Sequence, residues 1–99
     1  MNRKRIMKKY ECDPKGTCHS AVRELSRYYG KERGIPKSDM KVLEVRVPEK
    51  KSNHVVLSVK GNIYDPTRTQ YSYKHKPIRG QLPSKYKLNN IRDVDFYYD

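Results

Sequence analysis

The sequence contains no tryptophan, a single phenylalanine and only two cysteines, and each shortage excludes something. With hydrophobic residues at 34% and a mean hydropathy of −1.09, any core must be small, and the nine tyrosines must supply much of its large buried surface. Cys12 and Cys18 could be bridged in principle, but two cysteines six residues apart without a secretion signal read better as reduced thiols than as a disulfide scaffold. No apolar run approaches the roughly 20 residues that span a bilayer, and the basic start MNRKRIMKKYE is not followed by the apolar stretch of a signal peptide. The expectation is therefore a chain that begins near Met1, works in the cytoplasm and makes no use of a membrane.

Acidic residues are also scarce. Lys and Arg number 23 against 11 Asp and Glu, a net charge of +12 on 99 residues. Such a charge favours anionic partners, either nucleic acid or an acidic protein surface, although a self-repelling soluble surface has the same composition. The length suits one domain, 1–99, with residues 1–9 as a basic arm or the first turn of an exposed helix. No internal repeat or low-complexity segment is evident.

Turn residues in ECDPKG precede the clearest helix. Thr17 stands at its N-cap, and Cys18, Ala21, Val22, Leu25 and Tyr28 or Tyr29 recur at helical spacing, with Gly30 placed to end the helix in the left-handed conformation. From Lys41 to Val47, Leu43, Val45 and Val47 alternate with Glu44 and Arg46, the pattern of a half-buried strand. A hairpin follows, His54 to Val59 and Asn62 to Pro66, turning at Lys60-Gly61. RTQYSYKHKPIRGQLPSKYKLNN reads as a short strand among loops, and VDFYY, Val94 to Tyr98, as a closing strand. The fold class expected is α+β, one helix packed on an antiparallel sheet. Val55, Leu57 and Val59 are more apolar than the face carrying His54, so either both faces are covered or the helix lies on the side away from His54.

Candidate chemistry centres on Cys18. In the first turn of a helix, unbonded N–H groups and the helix dipole favour a thiolate. A nucleophile also needs a base held in one tautomer by a third group. His19 follows Cys18 on the helix and points about 100° away, which leaves His54 as the better base. A two-residue turn at Lys60-Gly61, or a four-residue one, sets Ser58 opposite Ile63 and Val56 opposite Asp65. Asp65 then lies diagonally from His54 on one face, about 7 Å away between Cα atoms. A three-residue turn would send Asp65 to the other face.

GTCHSAVREL, NHVVLSV and NIYDPT, within residues 16–67, resemble the papain-like and transglutaminase-like cysteine enzymes. In that superfamily a cysteine at a helix start is followed by a histidine on one strand and Asp or Asn on the next. The resemblance implies a papain-like or transglutaminase-like core, with Cys18 as nucleophile, His54 as general base and then acid, and Asp65 as the group orienting His54. The implied activity is acyl transfer on a protein substrate, of peptidase, deamidase or transglutaminase type, with no cofactor. Papain itself has a glutamine six residues before its cysteine to help bind the oxyanion; here that position is Cys12, and the oxyanion donor is unassigned.

Two other readings compete. Cys12, Cys18, His19 and one of His54 or His75 are zinc-ligand types, but C-x5-C-H fits no common structural pattern, so no metal is expected. Arg68, Lys74, Lys76, Arg79, Lys85 and Lys87 interleave with Tyr71, Tyr73 and Tyr86, a mixture able to neutralise phosphates and stack on bases. A non-catalytic basic module for nucleic acid or an acidic protein, such as a small effector or inhibitor, is the alternative.

Overall fold

A computed structural model describes residues 3–12, 17–47, 52–70, 78–83 and 86–95. The fold is α+β. Helices α1 (Arg3–Cys12) and α2 (Cys18–Arg27) pack on one face of an antiparallel sheet of β1 (Met40–Val47), β2 (Ser52–Val59), β3 (Asn62–Asp65), β4 (Ile78–Gly80) and β5 (Lys87–Asp93). The strand order is β4-β3-β2-β1-β5, so β2, which carries His54, is central.

Residues 3–9 are not a free arm. Ile6, Met7 and Tyr10 form one stripe of α1 and are buried against Val22, Leu25 and the sheet, while Lys4, Arg5, Lys8 and Lys9 face out. Three apolar side chains among so many cations are enough to dock the helix. The Tyr10 hydroxyl and Lys9 both bond Glu24 on α2, and the Arg3 guanidinium lies 5.8 Å from the centre of the Tyr64 ring.

Helix α2 buries Ala21, Val22, Leu25 and Ser26, as its spacing requires. Its ends differ from expectation. The Thr17 side chain makes no capping hydrogen bond, because its backbone (φ −112°, ψ 12°) does not take the extended cap conformation. Gly30 does not stop the helix either. The backbone widens into a π-type turn, Tyr28–Glu32, and Gly34, at φ +67°, is the glycine that adopts the left-handed conformation.

The hairpin has the two-residue turn. Val59 pairs with Asn62, Ser58 with Ile63 and Leu57 with Tyr64. Lys60 (φ 50°) and Gly61 (φ 85°) both lie at positive φ, the type I′ geometry that suits the twist of the strands. Pro66 ends β3 and opens a 3-10 turn, Pro66–Gln70.

Both faces of the sheet are covered. Met40, Val42, Val55, Leu57 and Val59 meet the helices. On the other face Val45, Val47, Val56, Ile63 and Tyr86 form a second cluster, with Leu43 and Leu82 packed against it. Val42 is thus a helix-facing core residue, and the Leu43, Val45, Val47 face looks away from the helices. The closing strand is Lys87–Asp93 rather than Val94–Tyr98: Val94 lies in a turn and is buried, and residues 96–99 fall outside the described residues. KLNNIRD is exposed at every position and is held by its ladder to β1, so no hydrophobic alternation marks it. Tyr71, Tyr73, Lys74, His75, Lys76 and Lys85 also lie outside the described residues. No helix among the described residues is long and apolar enough to cross a membrane.

Candidate active site

Three residues singled out in the sequence meet at the start of α2. His54 Nε2 lies 2.8 Å from Asp65 Oδ2, and both side chains are almost completely buried. The hairpin register accounts for this. Ser58 opposite Ile63 carries Val56 to face Asp65, and His54, two residues earlier, shares that face. A one-residue slip would put Asp65 among the helix-facing side chains.

Asp65 is itself held. Thr67 Oγ1 donates to Asp65 Oδ1 at 3.1 Å, and Thr67 is fully buried. The carboxylate therefore has one oxygen on His54 and one on Thr67, which fixes its plane. Thr67 is the residue that sequence reasoning missed. Its signal was present in DPT, where a hydroxyl two residues after an acid can reach back to the carboxylate across a proline-initiated turn. Tyr86 closes the other side of the ring, edge-on to His54 at 6.2 Å between centroids and 82° between planes, and Arg68 lies 5.6 Å from the Tyr86 ring centre.

Cys18 is a free, half-buried thiol at the first residue of α2. The Ala21 N–H bonds back to the Thr17 carbonyl at 2.9 Å, and the His19 N–H, in the first turn, donates to the thiol. Hairpin geometry adds another donor. Val59 and Asn62 flank the two-residue turn as a hydrogen-bonded pair, so by alternation the N–H groups of Val59, Leu57 and Val55 point toward β3. Because β3 stops at Asp65, the Val55 N–H has no ladder partner there, and it donates to the Cys18 sulfur instead.

This arrangement answers how a helix on the Val55 face can serve a histidine on the opposite face. The thiol arrives at the strand edge, where β3 falls short, and the His54 ring reaches it there.

The electrostatics follow from the geometry. Burial pushes the Cys18 thiol up, but the hydrogen bond and charge of His54, with the N–H groups of Val55 and His19, outweigh it and hold the thiol below its ordinary value. Burial also works to lower His54. The Asp65 hydrogen bond, then Cys18 and the two negative charges, overcome it and raise the imidazole to about 9. Nε2 is committed to Asp65, so Nδ1 is the nitrogen left for the sulfur. The two shifts run in the direction of a thiolate–imidazolium pair, the thiol down and the imidazole up.

A cleft of about 200 Å³ adjoins His54, lined by His19, Glu44, Asn53, His54, Val55 and Asn89. All of its lining residues except Val55 are polar. Among the described residues, no group of three or more His, Cys, Asp or Glu is placed to hold a metal ion. The Cys12 and His75 side chains, named above as ligand types, lie outside the described residues.

Comparison of the chain with protein-family models, with curated proteins and with solved structures returns no match. The resemblance to papain-like and transglutaminase-like enzymes therefore rests on the residues of this chain and their geometry.

Proposed function

We propose that the protein is a cysteine-dependent acyl-transfer enzyme of papain-like or transglutaminase-like type, acting on a protein substrate through Cys18, His54 and Asp65. The observation that carries this reading is the buried 2.8 Å contact of His54 Nε2 with Asp65, which turns the other ring nitrogen to a thiol of depressed pKa. A structural cysteine has no need of a base oriented by a third group.

In this mechanism the Cys18 thiolate attacks an amide carbonyl held in the adjoining cleft, forming a C–S bond as the carbonyl π pair moves onto oxygen. The tetrahedral adduct collapses, and His54 gives its Nδ1 proton to the departing amine, leaving a thioester. Water, or a second amine, then loses a proton to Nδ1 as it attacks the thioester and returns Cys18 to the thiolate. Through both halves Asp65 keeps the Nε2 proton in place and balances the imidazolium, while Thr67 keeps Asp65 from turning. Peptide cleavage, deamidation and transamidation share these steps and differ in the group that occupies the cleft.

The test is the pH dependence of Cys18 alkylation by iodoacetamide in a Cys12→Ser background. Reaction well below the ordinary thiol range of about 8.5, lost in His54→Ala, supports the pair. An ordinary profile in both proteins removes the basis for the enzyme.

One observation favours a second reading as well, a basic surface for an anionic partner. Across α1 and α2, Arg3, Lys4, Arg5, Lys8, Lys9, Arg23 and Arg27 stand against only Glu11 and Glu24. At the other end of the fold three cations are matched: Lys41 with Asp93 and Lys37 with Asp95, each at 2.7 Å, and Arg92 with Glu44. Among the described residues the helix layer thus presents a dense run of cations, where an acidic protein substrate or nucleic acid would dock. Binding there weakens steeply as salt rises, whereas Cys18 chemistry on a small probe does not.

A further inference from the structure

Acyl transfer through Cys18 leaves one role unfilled, a side-chain donor for the oxygen that becomes negative in the tetrahedral adduct. The cleft lined by His54 and Val55, both hydrogen-bonded to the thiol, narrows the choice. Glu44 is an acceptor and is engaged by Arg92, Val55 has an apolar side chain, the His54 nitrogens serve Asp65 and the sulfur, and the His19 side chain leaves α2 about 100° away from that of Cys18. Asn89 Nδ2 donates to Asn53 Oδ1 at 3.3 Å. That contact turns the Asn53 oxygen toward Asn89 and orients its amide, which leaves the Nδ2 hydrogens for the cleft.

Its place on β2 suits the task. Asn53 has the same parity as Val55, so its side chain lies on the sheet face where α2 begins, opposite to His54. It is two residues along the strand, about 7 Å, from the residue whose N–H meets the Cys18 sulfur. An adduct carbon bonded to that sulfur and projecting into the cleft carries its oxygen into this interval.

We propose that Asn53 is the oxyanion donor of the site, its Nδ2–H stabilising the charge that forms on the substrate oxygen, with the Asn89 contact setting its amide. This inference rests on the acyl-transfer reading. Asn53 is a catalytic residue in it, Asn89 a positioning one.

The test compares two reactions at one sulfur, both in the Cys12→Ser background. With p-nitrophenyl acetate, the thiolate attacks the ester carbonyl, negative charge builds on oxygen, and p-nitrophenolate leaves as the acetyl thioester forms. With iodoacetamide, the thiolate displaces iodide from a saturated carbon and no oxyanion arises. Asn53→Ala should slow p-nitrophenolate release from the Cys18-dependent reaction by about 10²-fold, with alkylation unchanged within about twofold. Should Asn53→Ala fail to fold, Asn53→Val, a strong strand former with no donor, gives the same comparison.

Acylation of Asn53→Ala at the rate of the parent would overturn the assignment while leaving the enzyme reading intact. Equal slowing of acylation and alkylation would also overturn it, since Asn53 would then act on the thiol–imidazole pair. A parent protein that is alkylated at low pH but never acylated would sink both this inference and the acyl-transfer reading.

Discussion

The corner formed by His54, Asp65 and Thr67 and the outer surface of α1 and α2 hold their polar groups under opposite conditions. In the corner a few groups are buried and bonded to one another. On the helix layer many charges of one sign stand in water. A polar group removed from water is costly unless fully partnered, so each member of the corner depends on the others. An exposed cation is screened and hydrated, so its loss is scarcely felt by the fold. The corner is therefore where one substitution can alter both stability and reactivity, and the helix layer is where only their sum matters.

The sharpest way to expose this difference is Asp65→Ala. It leaves the buried imidazole without its partner and should lower unfolding stability by about 3–5 kcal/mol in urea titrations, with Asp65→Asn costing less because the amide oxygen can still accept. A loss under about 1 kcal/mol for the alanine variant would mean that the pair does not hold the corner.

His54 gives the next effect, read through pH. Its folded pKa, about 9, lies above the unfolded value of about 6.5. The stability it contributes is therefore complete below pH 6.5 and is lost as pH rises from there through 9. Subtracting the stability–pH curve of His54→Gln from that of the parent should reveal this fall, and a flat difference would contradict the raised pKa. In alkylation, His54→Ala removes the hydrogen bond and charge that oppose burial at Cys18, so the rate at pH 6.5 should drop by about tenfold or more.

Thr67→Val tests a smaller contact. It keeps the shape and removes the donor to Asp65 Oδ1, and a cost of about 1–2 kcal/mol is expected, with alkylation reduced less than in His54→Ala. The smallest effect belongs to the other region. Replacing Lys8 and Arg23 together by glutamine should change stability by no more than about 0.5 kcal/mol, while elution from a polyanion column moves to lower salt. Unchanged elution would show that the helix layer is not the cationic surface that matters.

What could be read in advance divides in the same way. The start of α2 is a local pattern, a helical repeat following turn residues, and the hairpin is a local pattern around Lys60-Gly61. Once that turn was taken as two residues, the meeting of His54 with Asp65 followed from strand parity alone. Strand β5 was hidden because KLNNIRD buries none of its side chains and is defined by backbone bonds to β1, which composition does not record. Helix α1 was obscured because Ile6, Met7 and Tyr10 are spread thinly among cations. Gly30 was the plausible helix stop, yet the π-type turn carried the backbone past it to Gly34.

The sequence by itself determined the α+β class and the order of the central elements, and it reduced the meeting of His54 with Asp65 to the length of one turn, because these depend on spacings of two, three and four residues along the chain. Only the tertiary structure decided that β3 stops short of Val55, leaving an N–H for the Cys18 sulfur, and that Thr67 returns to grip Asp65. It also decided that both sheet faces are covered, so that the histidine is buried while the thiol reaches it from the edge. These depend on where separate elements end relative to one another in space, and no periodicity within a single element encodes that.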